Sequence, residues 1–363
     1  MPKKARPLFL AHTQPGFEAI AADEIERALD DARICGTRSV ADKNGMVLFE
    51  YPGDVRDLFG LRTIEDLFVV IATLADPPPT RAALQLLTDT ALRASTLEPA
   101  LTLARQIVPG RGGKGKLRFR VVARQVGNTA YRRVDAQRAL ERGIGQRSDH
   151  RWHQVEDEGI EFWLTLLPNE AIVALRLSDE RMRHREYKLE HMPASLRPSA
   201  AAALAWLSAP ADDDLFLDPM CGAGTILIER AHMGRYQQLL GGDVREQALA
   251  VARANVGSRY KPIELRQWDA RALPIDAGAV CAAAVNLPFG QQIGSASDNR
   301  QLYPAFLREA ARVLRPGARL VVLTGDRQAL DQALRRTGTL ARRAIFPVLL
   351  LGRAAGVYVL ERT

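Results

Sequence analysis

The spacing of apolar positions changes twice along the chain, and those changes divide it. Near the N terminus a short apolar run, Leu8–His12, is followed by Pro15-Gly16 and then by Phe17, Ile20, Ala21, Ile25 and Leu29. The i, i+3, i+4 spacing is that of a helix with one buried face. Strands are predicted at Gly45–Phe49 and Asp66–Leu74, with a helix over Asp54–Gly60 between them, so residues 1–75 read as a small α+β unit. Pro77, Pro78 and Pro79 interrupt any ladder at that point. Residues 76–180 then read as a helix (Arg81–Arg93), a strand (Leu117–Ala123), a helix (Val134–Gln146) and two strands, Gly159–Leu167 and Glu170–Leu177. A charged connector over 181–195 leads into a third segment, 196–363. There strands are predicted at Asp214–Leu217, Gly241–Asp243, Ile263–Trp268, Val280–Val285, Ala318–Thr324, Leu340–Phe346 and Val357–Glu361, with helices starting near Gly224, Glu246 and Tyr303. Apolar strands alternating with amphipathic helices predict a Rossmann-like α/β fold, a mostly parallel seven-stranded sheet covered on both faces. Ligands of such sheets lie beyond the carboxyl ends of the strands.

Composition narrows the class without naming a function. With 363 residues, 47% hydrophobic and 25% charged, the chain is an ordinary multidomain globular protein, neither disordered nor fibrous. No apolar run approaches the ~20 residues of a membrane span. The basic start, Met1 to Pro7, is not followed by a signal-type apolar segment, so a soluble cytoplasmic protein is expected. Cys35, Cys221 and Cys281 are too few and too scattered for a disulfide framework or a cysteine zinc site and are expected to be small buried hydrophobes. The six histidines have no metal-ligand spacing, and no metal is expected.

Charge points to a partner. The net charge is +8, but thirteen Lys and Arg residues stand against three acids between Arg105 and Arg151, which places +10 in that window and about −2 in the rest. Such a block suits a phosphate backbone, the alternative being a merely solvated face. The candidate RNA contacts are Arg111, Lys114 and Lys116, in a stretch whose three glycines permit close backbone approach, and Arg132, Arg133 and Arg138. A Walker-type phosphate loop is excluded because no GK[ST] follows.

The sharpest local signal is Leu217-Asp218-Pro219-Met220-Cys221-Gly222-Ala223-Gly224-Thr225: a strand ending in an acid, a turn through two glycines, and a helix start with free N–H groups. A dinucleotide site would have a third glycine, with pyrophosphate on those N–H groups. An acid beside the turn repels pyrophosphate but attracts a cationic amino acid or ribose hydroxyls, which favours S-adenosylmethionine over NAD. Asp243, 25 residues on, ends the next strand where it can accept both ribose hydroxyls, and Asp269, 26 further, can accept from the adenine amino group. Candidate cofactor-binding residues are therefore Asp218, Cys221, Gly222, Ala223, Gly224, Thr225, Asp243, Val244, Asp269 and Ala270, together with Asn286.

The fourth strand of the third segment ends in Val285-Asn286-Leu287-Pro288-Phe289-Gly290. Here the chain resembles the amino-group methyltransferases with an [ND]-P-P-[FY] motif. Combined with DPMCGAGT, it resembles the branch that carries a THUMP domain and makes N2-methylguanosine in tRNA. The resemblance implies a ferredoxin-like domain over 1–75, THUMP over 76–180 and a methyltransferase domain over 196–363, with Leu196-Arg197-Pro198-Ser199 leading into it. It also implies the catalytic set Asn286, Leu287, Pro288 and Phe289. The chemistry of that set is intelligible: an exocyclic guanine amine is a poor nucleophile until two acceptors, here the Asn286 side-chain oxygen and the Leu287 carbonyl, pull its nitrogen toward tetrahedral geometry. Pro288 stiffens the turn, and Phe289 offers a face to an unstacked base. Leu287 stands where relatives carry proline; because that position acts through its carbonyl, the chemistry survives.

Weaker candidates are Arg197 and Ser199, near the cofactor, the RNA or a helix cap, Gln291 and Gln292 at the base edge, and Asp326 in a turn. Trp152 and Trp163 read as core. The resulting expectation is an S-adenosylmethionine-dependent, monomeric tRNA guanosine N2-methyltransferase acting on position 6 of the acceptor stem. The alternatives are N2-guanine methylation of 23S rRNA or an RNA-binding protein with a vestigial methyltransferase fold.

Overall fold

The computed structural model describes residues 6–40, 43–108, 116–192, 195–289 and 296–363. Its strands form two sheets. The first begins with β1 (Leu8–Thr13), α1 (Glu18–Ala28), β2 (Arg33–Val40), β3 (Asn44–Glu50), a single 3₁₀ turn at Asp57–Gly60, and β4 (Asp66–Ala75). It continues with α2 (Ala82–Arg93), α3 (Leu97–Ile107), β5 (Lys116–Gln125), α4 (Arg133–Gly145), β6 (Arg151–Gln154), β7 (Ile160–Leu167) and β8 (Glu170–Arg176). The strand order is β2-β3-β1-β4-β8-β7-β5-β6. The three prolines do end β4, yet β4 pairs antiparallel with β8, from Phe68 opposite Arg176 to Ala75 opposite Glu170. The segments on either side of residue 76 thus share one continuous sheet.

The second sheet follows α5 (Arg181–His184) and α6 (Pro198–Leu207). Its elements are β9 (Leu215–Asp218), α7 (Thr225–Ala231), β10 (Gln238–Asp243), α8 (Glu246–Val256), β11 (Ile263–Gln267), β12 (Val280–Asn286), α9 (Ala296–Val313), β13 (Leu314–Thr324), α10 (Arg327–Thr337), β14 (Leu340–Leu350) and β15 (Arg353–Arg362). The order is β11-β10-β9-β12-β13-β15-β14, parallel except for β15, which runs antiparallel to both neighbours. Strand order reverses between β9 and β12, and at such a switch point the strands' carboxyl ends open into a crevice.

The departures from the expected elements have local causes. β2 and β6 carry little signal, since β2 is interrupted by Gly36 and β6 has only four mostly exposed residues; α3, with Pro99 in its first turn, and α10, whose Asp326 and Gly338 mark its two ends, are amphipathic helices that the expected set lacks. α9 starts at Ala296 rather than near Tyr303, because Pro304, which resembles a helix-start signal, lies inside the helix. Cys35 is exposed rather than buried, Cys221 is buried, and Cys281 is intermediate. Trp163 is core, and Trp152, partly buried, packs elsewhere, against Phe119 and Phe162.

The connector is docked rather than loose. Tyr187 donates to Glu229 of α7 at 2.5 Å, and Lys188 donates to the Leu196 carbonyl at 2.7 Å. Glu229 is fully buried and also takes both nitrogens of the Arg62 fork, at 2.5 and 3.1 Å. Arg62 belongs to the first sheet's unit, so this ion pair fastens the two units together. Removing one partner of such a pair strands a buried charge, at a cost of roughly 3–5 kcal/mol. Phe17 and Ile20, expected on the buried face of the first helix, in fact join the core of the second unit, in one cluster with Ala200, Leu204, Leu323 and Val357. No described helix is long and apolar enough to cross a membrane.

Candidate active site

Local sequence places three polar side chains at the carboxyl ends of adjacent strands. Asp218 ends β9, Asp243 ends β10, and Asn286 ends β12. All three line one cavity of about 830 Å³. That is near the top of the ~300–1,000 Å³ range of small-molecule sites and can hold more than one ligand.

Asp218 is buried, its carboxylate accepts from the Met220 N–H at 3.3 Å, and no cation pairs with it among the described residues. Burial, reinforced by the charge of Asp243, pushes its pKa well above the usual carboxylate range. An arriving cation would relieve that penalty. The turn that follows is left-handed at Gly222 (φ +50°) and Gly224 (φ +76°). A side chain built on Gly222 would meet nothing within 4 Å, which leaves open space for a ligand. Gly224 does not line the cavity: its Cα faces Ala252 and Val256 of α8, so it permits helix packing rather than ligand approach. Nor are the turn's N–H groups all free, as a phosphate cradle requires. Cys221 N–H donates to the Gly242 carbonyl, Gly222 N–H to Asp243 Oδ2 at 3.2 Å, and Gly224 N–H to the Cys221 carbonyl. The turn is closed on itself and on an acid, which suits a cofactor without phosphate.

Asp243 is buried and accepts from Gly222 N–H and from Arg245 N–H at 3.0 Å. Cys221, Ala223, Thr225, Val244, Asp269 and Ala270 also line the cavity, with Val244 64% exposed. Asp269 is gripped by both nitrogens of the Arg271 fork at 2.6–3.0 Å, and those hydrogen bonds hold its carboxyl below the usual range. A carboxylate has about four acceptor sites, so an amino group can still be received there.

The Asn286–Phe289 segment closes the other side. Asn286 Oδ1 is buried and has no hydrogen-bond partner among the described residues, an arrangement that is rare in native structures and marks a group held for something else. Leu287 N–H donates to the Leu323 carbonyl at 3.0 Å, and Tyr303 OH donates to the Pro288 carbonyl at 2.7 Å. A side chain on Gly325 would sit 2.6 Å from the Phe289 ring, so that glycine gives the ring its seat. Leu287, Pro288 and Phe289 all line the cavity.

Trp268 and Gln14 line the cavity without any signal in the sequence. Trp268 donates from Nε1 to the Pro219 carbonyl at 3.0 Å and lies against Gly242, which has room for it only as glycine. Gln14 reaches the cavity from the first unit and donates to Ser199 Oγ at 2.9 Å, and Ser199 donates to Glu65 at 3.1 Å. Arg197 lines the cavity too, paired with Glu65 at 3.2 Å. Arg197 stands at the N-cap position of α6, but no side chain makes a capping hydrogen bond there. Asp326 is the N-cap of α10, accepting from Ala329 N–H at 3.1 Å.

The candidate RNA contacts lie in the first unit, except Arg197. Lys116, Arg132, Arg133 and Arg138 are exposed on β5 and α4 and do not line the cavity. Arg133 also donates to the Ala123 carbonyl at 3.1 Å. Arg111, Lys114, Gln291 and Gln292 lie outside the described residues. Among the described residues, no group of three or more His, Cys, Asp or Glu side chains is placed to hold a metal.

Comparison with known proteins gives this geometry a relation. A family profile described as UPF0020, RMKL-like methyltransferase domain, matches residues 185–351. The bovine (Bos taurus) tRNA (guanine(6)-N(2))-methyltransferase THUMP3 is 36% identical over 219 residues, 56% of this chain and 43% of that protein. The chain thus spans less than half the length of this mammalian relative. The tRNA (guanine(6)-N2)-methyltransferase of Thermus thermophilus is 31% identical over 241 residues, 65% of this chain and 70% of its own. The crystal structure of TrmN from Thermus thermophilus superposes with a TM-score of 0.79 at 25% identity, covering 98% of this chain and 100% of that one. The chain belongs to the family of the tRNA (guanine(6)-N2)-methyltransferases.

Proposed function

We propose that the protein uses S-adenosylmethionine to methylate the exocyclic N2 amine of a guanosine in tRNA, at position 6 of the acceptor stem. In this reading residues 1–75 form a ferredoxin-like domain, 76–180 a THUMP domain that grips the acceptor end through Lys116, Arg132, Arg133 and Arg138, and 196–363 the methyltransferase domain. The observation that carries the reading is the buried Asn286 Oδ1, which has no partner among the described residues, on the wall of the cavity that Asp218 and Asp243 also line.

The residues fit the cofactor. Asp218 offers a buried carboxylate to a cation, Asp243 a carboxylate to ribose hydroxyls, Asp269 an acceptor to an adenine amino group, and Gly222 open space. Bound there, S-adenosylmethionine supplies an electrophilic methyl group. Asn286 Oδ1 and the Leu287 carbonyl then accept from the two hydrogens of the guanine amine and aim its lone pair. These are fixed dipoles in a dry site, where they stabilise positive charge developing on nitrogen without reorganising. Phe289 gives the base a face to stack on, and the proton of the methylated amine passes to water, so no strong base is needed. Orientation supplies most of the acceleration.

The test is direct. Purified full-length protein is incubated with methyl-labelled S-adenosylmethionine and with unmodified tRNA or rRNA, and the digested nucleosides are identified by mass spectrometry. N2-methylguanosine at tRNA position 6 is expected. Label in rRNA alone, in another nucleoside, or in neither RNA overturns the reading.

A further inference from the structure

The hairpin between β14 and β15 carries a leucine in a place that neither the fold nor the proposed chemistry requires. Leu350 pairs with Arg353, so only Leu351 and Gly352 make the turn. Both are left-handed, Leu351 at φ +51° and Gly352 at φ +75°. Two-residue hairpin turns with positive φ at both positions favour Asn-Gly, Asp-Gly or Gly-Gly, and a bulky side chain at the first position is strained. Leu351 is nevertheless there and is 76% exposed, more than any other large hydrophobic residue described. It also lines the same cavity as Asn286 and Phe289. The turn therefore holds an apolar side chain out into solvent, against conformational preference, at the mouth of the site.

The hairpin is stiff. Leu349 N–H donates to the Pro15 carbonyl at 3.0 Å, and Gly16 lies so close to Pro347 that any side chain there would collide with its carbonyl. Val348 and Ala355, just behind the tip, are buried in the core of the second unit. Pro15 and Gly16 belong to the unit with the exposed basic residues, so the tip is braced by that unit as well as by its own sheet. Arg197 and Arg353 also line this cavity.

We propose that Leu351 is the wedge that enters the base stack when the target guanine leaves it. This rests on the reading that the substrate is a guanine within an RNA helix. The amine of a paired guanine is hydrogen-bonded to its partner base, and its lone pair is not presented for attack, so the base must be extruded. Extrusion costs unpairing and unstacking, least where the base is already unpaired. Apolar side chains inserted at base steps are an established way of separating them. A rigid, exposed leucine beside the receiving cavity fills the gap and slows the base's return.

The test compares the wild type with Leu351→Gly and Leu351→Phe. Glycine suits the left-handed turn better than leucine, so a loss of activity in Leu351→Gly cannot be put down to misfolding. Two substrates are used: an unmodified tRNA transcript with guanine at position 6, and the same transcript with an abasic residue facing that guanine. Leu351→Gly is expected to lower kcat/KM about tenfold or more on the paired transcript, with a change of less than about threefold on the abasic one. Leu351→Phe is expected to keep most of the activity on both. With 2-aminopurine replacing the target guanine, saturating wild-type protein is expected to raise its emission and Leu351→Gly is not. Equal activity on the paired transcript, or equal losses on both, overturns the wedge. If the wild type methylates neither transcript, the functional reading fails, and the emission alone decides the wedge: a rise lost in Leu351→Gly supports it, and equal emission from the two proteins overturns it.

Discussion

The hydroxyl of Tyr303 donates to the carbonyl oxygen of Pro288 at 2.7 Å and lies 2.7 Å from Thr324 Oγ1. Thr324 Oγ1 in turn accepts from Asp326 N–H at 2.9 Å. With its one proton given to Pro288, Tyr303 must accept from Thr324, so the chain of hydrogen bonds runs in a single direction, from the N-cap of α10 through β13 to the Asn286–Phe289 segment. Burial raises the Tyr303 pKa, so the phenol stays a donor throughout the working pH range. Tyr303 is a positioning residue: it touches the loop, not the cavity.

Tyr303→Phe removes that donor and little volume. The lost hydrogen bond and the stranded Pro288 carbonyl are worth about 1–3 kcal/mol. Expressed in loop geometry, this is expected to lower kcat roughly tenfold while the S-adenosylmethionine Kd changes less than about twofold. Single-turnover methylation and calorimetry on the same preparation separate the two. A parallel loss of cofactor affinity would show that Tyr303 supports the whole crevice rather than one loop.

Asp218→Asn has opposite effects on stability and binding. The folded-state pKa of Asp218 lies above its unfolded value, so the protonated form is the one that folding favours. The associated stability is complete below the unfolded pKa and is lost as pH rises through the folded one. Ligand-free Asp218→Asn is therefore expected to melt higher than wild type at neutral pH, with the gap closing on acidification. Its S-adenosylmethionine affinity is expected to fall roughly 10- to 100-fold, the scale of a lost charge-assisted hydrogen bond. Thermal melts from pH 4 to 8, with and without cofactor, check both signs.

The site was legible where the chemistry demands a contiguous run. Asp218 through Thr225 and Asn286 through Phe289 each sit at one strand end, and a strand, a turn and a side-chain type are local properties. Gly224 marks the limit of that reading: a sequence reveals that a glycine is needed, not whether ligand or helix takes the space, and here it is α8. That the turn's own Cys221 and Gly222 N–H groups are taken is hidden for a similar reason, since their acceptors, Gly242 and Asp243, come from another strand. Gln14, Glu65 and Tyr303 reach the site only through tertiary packing, and nothing in their flanks announces it. The shared first sheet was equally hidden, because β4 and β8 are joined by pairing across about a hundred residues of chain.

Charge reversal at Arg132 and Arg133 tests the basic face. Both are exposed on the start of α4. Arg132→Glu with Arg133→Glu is expected to weaken tRNA binding and to flatten its dependence on salt by about one to two units of log–log slope, leaving the cofactor Kd unchanged. Filter binding between 50 and 300 mM salt reads the slope, and an unaltered slope would mean that this face is merely solvated.

Asn286→Ala bears most directly on the central claim, that a buried acceptor without a partner is held for the substrate amine. Since Asn286 Oδ1 makes no hydrogen bond to any of the described residues, removing it is expected to leave the melting temperature equal or higher. The decisive measurement is single-turnover methyl transfer to tRNA by this variant, with its S-adenosylmethionine Kd determined alongside. The expected result is a loss of at least about 10²-fold in rate with cofactor affinity within a few-fold of wild type; transfer at the wild-type rate would contradict it.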